Sequence, residues 1–295
     1  MADVLSSQPA WVSNRRFDWR DRLATALVWL VAIVIVATFA WIVGDLVRHG
    51  LPHLSLGFLL EAPADAGRAG GIGPILVSTG LILVVCLAVS VPIGLGTAML
   101  LAEFTRRGGV FALLVRRSLD VLAGVPSIVF GLFGNALFVI HLGMGFSILA
   151  GGLTLACMAL PILIRSTEEG FRAVPDTYRQ AAAALGLTRS ATLWRILLPA
   201  ATPGLIVGLV LGIGRALAET AALLFTSGYV DRMPESLLDS GRALSIHIYD
   251  LAMNVPGGDG NAYASALVLI AMLLIINGLT FWLADRWLGR RITPQ

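Results

Sequence analysis

Residues 180–199 read QAAAALGLTRSATLWRILLP: a short alanine tract, a glycine, two arginines and a closing proline, set between long apolar runs. Lipid cannot host such a stretch, because guanidinium groups and unpaired backbone polar groups are costly at membrane depth. With Arg179 at its edge and Glu168, Glu169 and Asp176 upstream, the segment must lie in water or against another protein. It therefore sets the architecture around it, with apolar spans on either side and a polar loop between.

Composition agrees. Of 295 residues, 57% are hydrophobic and only 13% charged, with a mean hydropathy of +0.84, which excludes an ordinary soluble domain and indicates a polytopic membrane protein. A net charge of +3 in a soluble chain would suggest nucleic acid; here the basic residues lie between apolar runs and report orientation in the bilayer. All 21 of them are arginine. Without lysine there is no Walker A motif and no Schiff-base chemistry, so any ATP-driven work belongs to another chain. Cys86 and Cys157 sit in apolar runs as inert thiols, with no disulfide or zinc spacing. His49 and His53 are interrupted by Pro52 and have no third ligand close by, so neither a metal nor another cofactor is expected.

A helix needs about 20 apolar residues to cross the hydrocarbon core. Runs at 23–44, at 71–102 with Pro92 inside, at 203–225 and at 262–284 each supply one span. The long run 121–164 supplies two, divided by a turn around His141, Gly143 and Gly145. The expectation is an all-α integral membrane fold: a tail over 1–22, a six-helix transmembrane domain over 23–290 and a tail over 291–295. Sixteen arginines fall on one side of these spans and four, Arg48, Arg68, Arg232 and Arg242, on the other. The positive-inside rule puts the sixteen, and with them both termini, in the cytoplasm. The first apolar run exceeds the 7 to 15 residues of a signal-peptide core and reads as an uncleaved anchor.

Within the polar loop, Pro175 and Asp176 are helix-start residues, the following stretch is alanine-rich, and Gly186 suits the left-handed conformation that ends a helix. Small side chains give little energy for lying on a membrane surface and allow close approach to another protein, so docking is the stronger reading. In the fifth span Arg215 and Glu219 are four residues apart and share one expected helical face, among Gly204, Gly208, Gly212 and Gly214. A guanidinium fork holds an oxyanion bidentately, and a carboxylate beside it favours an anion that still carries a proton, phosphate over sulfate. The same spacing also allows a self-neutralising ion pair, although Arg before Glu is the weaker order.

The loop resembles the EAA loop of ABC-transporter permeases: Ala181 and Ala182 follow Gln180, which stands where the family has Glu, then come Gly186 and the closing Ile196, Leu198 and Pro199. The resemblance implies a type I importer permease fold in which Gln180, Ala181, Ala182, Gly186, Ile196, Leu198 and Pro199 belong to the element that docks on an ATPase. GRAGGIGPILVSTG (67–80), GRALAETAALLFTSG (214–228) and IYDLAMNVPGGDGNAYA (248–264) are similar to the A-type permease subunits of high-affinity phosphate importers. That likeness implies a non-catalytic subunit for inorganic phosphate in the bacterial inner membrane, with Arg215, Glu219 and Arg165 on the substrate pathway. It also implies a second permease, two ATPase subunits and an extracytoplasmic phosphate-binding protein. Where the family has Gly-Glu-Thr-Ala-Pro this chain has Ala218-Glu219-Thr220-Ala221-Ala222, which keeps molybdate, sulfate or phosphonate open as cargo.

The acidic stretch 227–261 is expected as extracytoplasmic surface, either a contact for the binding protein or a solvated loop. No internal repeat supports an ion-coupled secondary transporter, and no histidine pairs with Ser227 to support a membrane hydrolase.

Overall fold

The computed structural model describes residues 19–106 and 109–292. The tail through residue 18 with Arg15 and Arg16, Arg107, the last three residues and the side chains of Arg20, Arg290 and Arg291 lie outside the described residues. The chain divides into two units at Arg48. The described residues of the first belong to α1 (Trp19–Gly50), whose long apolar side chains, among them Trp29, Val34, Phe39 and Trp41, are exposed. A helix apolar all round suits a lipid environment.

In the second unit a 3-10 turn at Leu51–His53 leads to α2 (Leu56–Leu60), capped by Ser55, whose hydroxyl accepts the Phe58 N–H at 3.0 Å. A short antiparallel ribbon, β1 (Pro63–Ala64) against β2 (Ala69–Gly70), leads into α3 (Gly73–Met99), which runs on through a π-turn at Leu100–Phe104. Next come α4 (Val110–Gly124) and α5 (Ser127–Gly134), the latter extended by a π-turn at Asn135–His141. Ser147 caps α6 (Ile148–Ala173) by accepting the Ala150 N–H at 3.2 Å. The polar loop forms α7 (Asp176–Ala184) and α8 (Arg189–Thr192), and a π-turn at Leu193–Leu197 joins it to α9 (Leu198–Ala218). The chain continues through α10 (Ala221–Leu224), α11 (Leu244–Met253) and α12 (Asp259–Ile292).

The core of this unit gathers Ile82 and Cys86 of α3, Leu155 and Met158 of α6, and Ile213 and Leu217 of α9, with Phe130, Leu223 and Ile246 closing it. Helices α6 and α9 cross at Gly170 and Gly204, where a Cβ built on Gly204 would stand 2.5 Å from the Gly170 Cα. Only two glycines permit this backbone contact. The glycine face of α9 thus receives α6 at Gly204 and Gly208.

Among the described residues five helices are long and apolar enough to cross a membrane, or six if the bent pair of α4 with α5 is counted as one span. Three sequence expectations change. The third span is broken, with a 102° bend between Gly124 and Ser127, where Pro126 pushes Val125 out of the helical region. The fifth span stops at Ala218, so Glu219 lies beyond its end. The stretch 227–261 holds α11, which buries Leu244, Ser245, Ile246, His247 and Leu251, and is therefore only partly surface.

Candidate functional site

The polar loop is two arms around Gly186. Pro175 precedes α7 with φ −57°, and Asp176 in the first turn complements the helix dipole. Gly186 has φ +68°; its N–H donates to the Ala183 carbonyl and the Leu187 N–H to the Ala182 carbonyl, both at 3.0 Å, a Schellman end that requires the left-handed residue. Thr188 then caps α8 through the Ala191 N–H at 3.2 Å. Gln180, Ala181 and Gly186 are exposed, while Ala182 faces inward and is buried. Leu185, 78% exposed, projects at the tip. Ile196 and Pro199 line a groove of about 910 Å³ with Glu169, Tyr178 and Arg195, and Leu198 packs against the cluster around Phe171 and Leu197.

Arg179 holds the first arm in place. Its guanidinium donates to both Glu103 carboxylate oxygens (3.2 and 2.6 Å), to Asp176 Oδ1 (3.1 Å), and to the carbonyls of Phe171 (3.0 Å) and Val174 (2.9 Å). The hydrogen-bonded Glu103 carboxylate raises the Arg179 pKa above its already high ordinary value. In the sequence Arg179 is only a charge that must avoid lipid, and nothing local names Glu103 as its partner.

A second set of charges joins α4 to α6. Buried Glu168 accepts Arg116 and Arg172 on one oxygen, each at 2.8 Å. Arg165 pairs with Asp120 and reaches the Arg116 carbonyl at 3.4 Å. The expected pathway cation Arg165 is therefore held by a carboxylate.

Arg215 differs. It sits half-buried in the last turn of α9, and no hydrogen bond or ion pair reaches its guanidinium among the described residues. Glu219 follows the helix end in extended conformation (φ −76°, ψ 126°), and its Oε1 accepts the Ala222 N–H at 3.2 Å, opening α10. Ser245 of α11 donates to the Glu219 carbonyl at 2.6 Å, and Asn135 Nδ2 donates to the Phe225 carbonyl at 2.8 Å. The break between α9 and α10 is thus held from α11, and the far end of α10 from the π-turn after α5. The self-neutralising pair does not form: among the described residues no ion pair joins Arg215 to Glu219.

Residues 90–293 match the family described as binding-protein-dependent transport system inner membrane component. The chain belongs to this permease family. The permease is 31% identical over 294 residues to a probable ABC transporter permease protein, YqgI, of Bacillus subtilis, covering 95% of this chain and 97% of that one. It is 37% identical to the phosphate transport system permease protein PstA of Mycobacterium leprae, covering 90% and 84%, and 30% identical to PstA 2 of Mycobacterium bovis, covering 92% and 93%. Among solved structures, a chain of a bacterial ABC transporter that imports alginate superposes with TM-score 0.59 at 16% identity, covering 94% of this chain and 99% of that one. A chain of the MetNI methionine ABC transporter gives 0.54 at 18% identity, covering 75% and 97%. These establish the importer permease fold.

On the other side of the permease from the polar loop, Arg242 ties the stretch after α10 to α11. It donates to the Tyr229 carbonyl at 2.9 Å and pairs with Asp250 at 3.4 Å and Asp231 at 3.8 Å. His247 lies beside it, its pKa pushed down to about 4 chiefly by burial and then by the Arg242 charge.

Proposed function

We propose that this permease is one of two membrane subunits of an ATP-driven importer of inorganic phosphate. The observation that carries the cargo is Arg215: a half-buried guanidinium in a membrane-spanning helix with no ion pair or hydrogen bond among the described residues, four residues before Glu219 at the helix break. An unpaired cation there is costly and persists for a ligand or a subunit that completes it. Glu219 Oε1 is engaged by Ala222, which leaves Oε2 to accept a proton-bearing oxygen of the anion. Relatives named as phosphate transport permeases, at 30–37% identity, support phosphate over other oxyanions.

In this reading the polar loop faces the cytoplasm, as the arginine distribution favours; of the two ATPase subunits one docks on α7 through Gln180, Ala181, Leu185 and Gly186, and the other on the second permease. A second permease completes the pathway, and an extracytoplasmic binding protein delivers the anion to the side carrying Arg242. Both termini are cytoplasmic, in the bacterial inner membrane. The permease itself performs no catalysis; it binds, orients and passes the anion while ATP hydrolysis in the partner drives the change of access.

The test is uptake of labelled phosphate by the intact complex in proteoliposomes, with molybdate, sulfate and phosphonate in parallel. Arg215→Gln should abolish uptake while the complex still assembles. Normal phosphate uptake in that variant removes Arg215 from the pathway, and preference of the wild type for another anion replaces the cargo.

A further inference from the structure

We infer that Glu103 is a positioning residue for transport: its pair with Arg179 carries the movement of α7 into α3, so that the docking arm and the second span travel as one body. This rests on the reading of α7 as the ATPase dock.

Three observations point to it. First, α7 has almost no apolar grip on the rest of the protein, since Ala182 is its one buried residue. A helix held so loosely passes on a push only through its specific bonds. Second, those bonds converge on one side chain. Arg179 grips Glu103 at the end of α3 through two parallel contacts and also bonds the Phe171 and Val174 carbonyls, at the end of α6 and just past it. The pair is mostly shielded, with side chains 27% and 15% exposed, which strengthens a two-pronged charged contact and makes it directional. Third, packing across to the second arm of the loop is incomplete: an open cleft of about 230 Å³, bordered by Glu103, Arg179, Ala183, Leu187, Arg189 and Leu193, lies between the two.

The position of Glu103 has a local cause. It lies in the π-turn Leu100–Phe104, in which the wider backbone turn departs from the α-helical register of α3; such turns recur at functional positions. Beneath the pair, Met99, Phe171, Val174, Leu193, Leu197 and Ala201 form an apolar cluster that keeps the ends of α3, α6 and α9 together. Glu103 and Arg179 connect α7 to that cluster.

The experiment uses the full complex in liposomes. Spin labels on Leu100→Cys and Thr177→Cys report the distance between α3 and α7 without reference to cargo. The expected result is the same distance in the nucleotide-free and ATP-vanadate-trapped states, and a distance that changes between them once Glu103→Gln is added. A distance that already changes in the chain with native Glu103, or that stays fixed in Glu103→Gln, overturns the inference. The second readout is ATP hydrolysed per labelled phosphate imported: Glu103→Gln should raise this ratio roughly tenfold, and Glu103→Asp, which keeps the charge, should recover most of the coupling. An unchanged ratio in Glu103→Gln, or loss of ATPase binding in both variants, also overturns it. A wild-type complex that imports no phosphate refutes the cargo alone, because the label distances still decide the role of Glu103.

Discussion

Glu219 places its carboxylate 3.2 Å from the backbone N–H of Ala222 and so begins α10, although Arg215 lies only four residues before it in sequence. The acid has two separable duties, a cap and a charge. Glu219→Gln keeps an acceptor for Ala222 and removes the charge, whereas Glu219→Ala removes both. We expect Glu219→Ala to lower stability by about 1 kcal/mol, the usual worth of a side-chain cap. Glu219→Gln should retain the thermal midpoint and lose phosphate uptake; thermal unfolding in detergent, set beside uptake, checks the separation.

Gly186 has open space where a Cβ would go, so its requirement is conformational. At φ +68°, Gly186→Val carries the left-handed penalty of about 1–2 kcal/mol, and more for a branched side chain. Gly186→Asn should be tolerated, as Asn is the other residue common at this position. Co-purification of the ATPase should fall in the Val variant and survive in the Asn variant, with equal membrane insertion in both.

Gly204 has the opposite problem. Any side chain there meets the Gly170 Cα at 2.5 Å and the Ser166 carbonyl at 2.6 Å. Gly204→Ala should destabilise the protein by at least the roughly 1–3 kcal/mol of an overpacked core. Gly212→Ala, whose new methyl would meet its nearest neighbours at 3.9 Å or more, is the control and should leave the thermal midpoint unchanged.

His247 links stability to acidity. Its folded pKa of about 4 lies below the ordinary 6.5, because burial and Arg242 disfavour the imidazolium, partly offset by Asp231 and Asp250. The unfolded chain therefore binds more protons between these values, and stability falls as pH drops from about 6.5 towards 4. His247→Gln should flatten that part of the profile, measured as thermal midpoint against pH.

How much of this was legible in the sequence depended on the range of the interaction. Span count, the turn at Gly143 and Gly145, and the two-armed loop around Gly186 are local consequences of apolar runs and backbone-permissive residues, and the structure has them. The break at Val125 and Pro126 was also local: glycine, valine and proline interrupt the run 121–164, but its unbroken apolarity hid them. The end of α9 at Ala218 carries no sequence signal of its own, since Ala, Glu and Thr continue a helix well enough; Ser245 holds the Glu219 carbonyl there from a distance. The same holds for Arg179 with Glu103 and Arg165 with Asp120. Their partners are far along the chain, where periodicity and propensity have nothing to say.

The Gly170–Gly204 crossing lies close to one end of α6. From Gly170, α6 extends about 4.5 Å to Ala173 on the loop side and about 33 Å to Ile148 on the other. If the helices pivot there, the arms stand in a ratio of roughly seven to one, so a tilt of about 1 Å beside the polar loop sweeps the far end of α6 through about 7 Å. With that pivot, a joint made of bare backbone would give α6 mechanical gain, converting a short stroke at one membrane face into a wide excursion at the other.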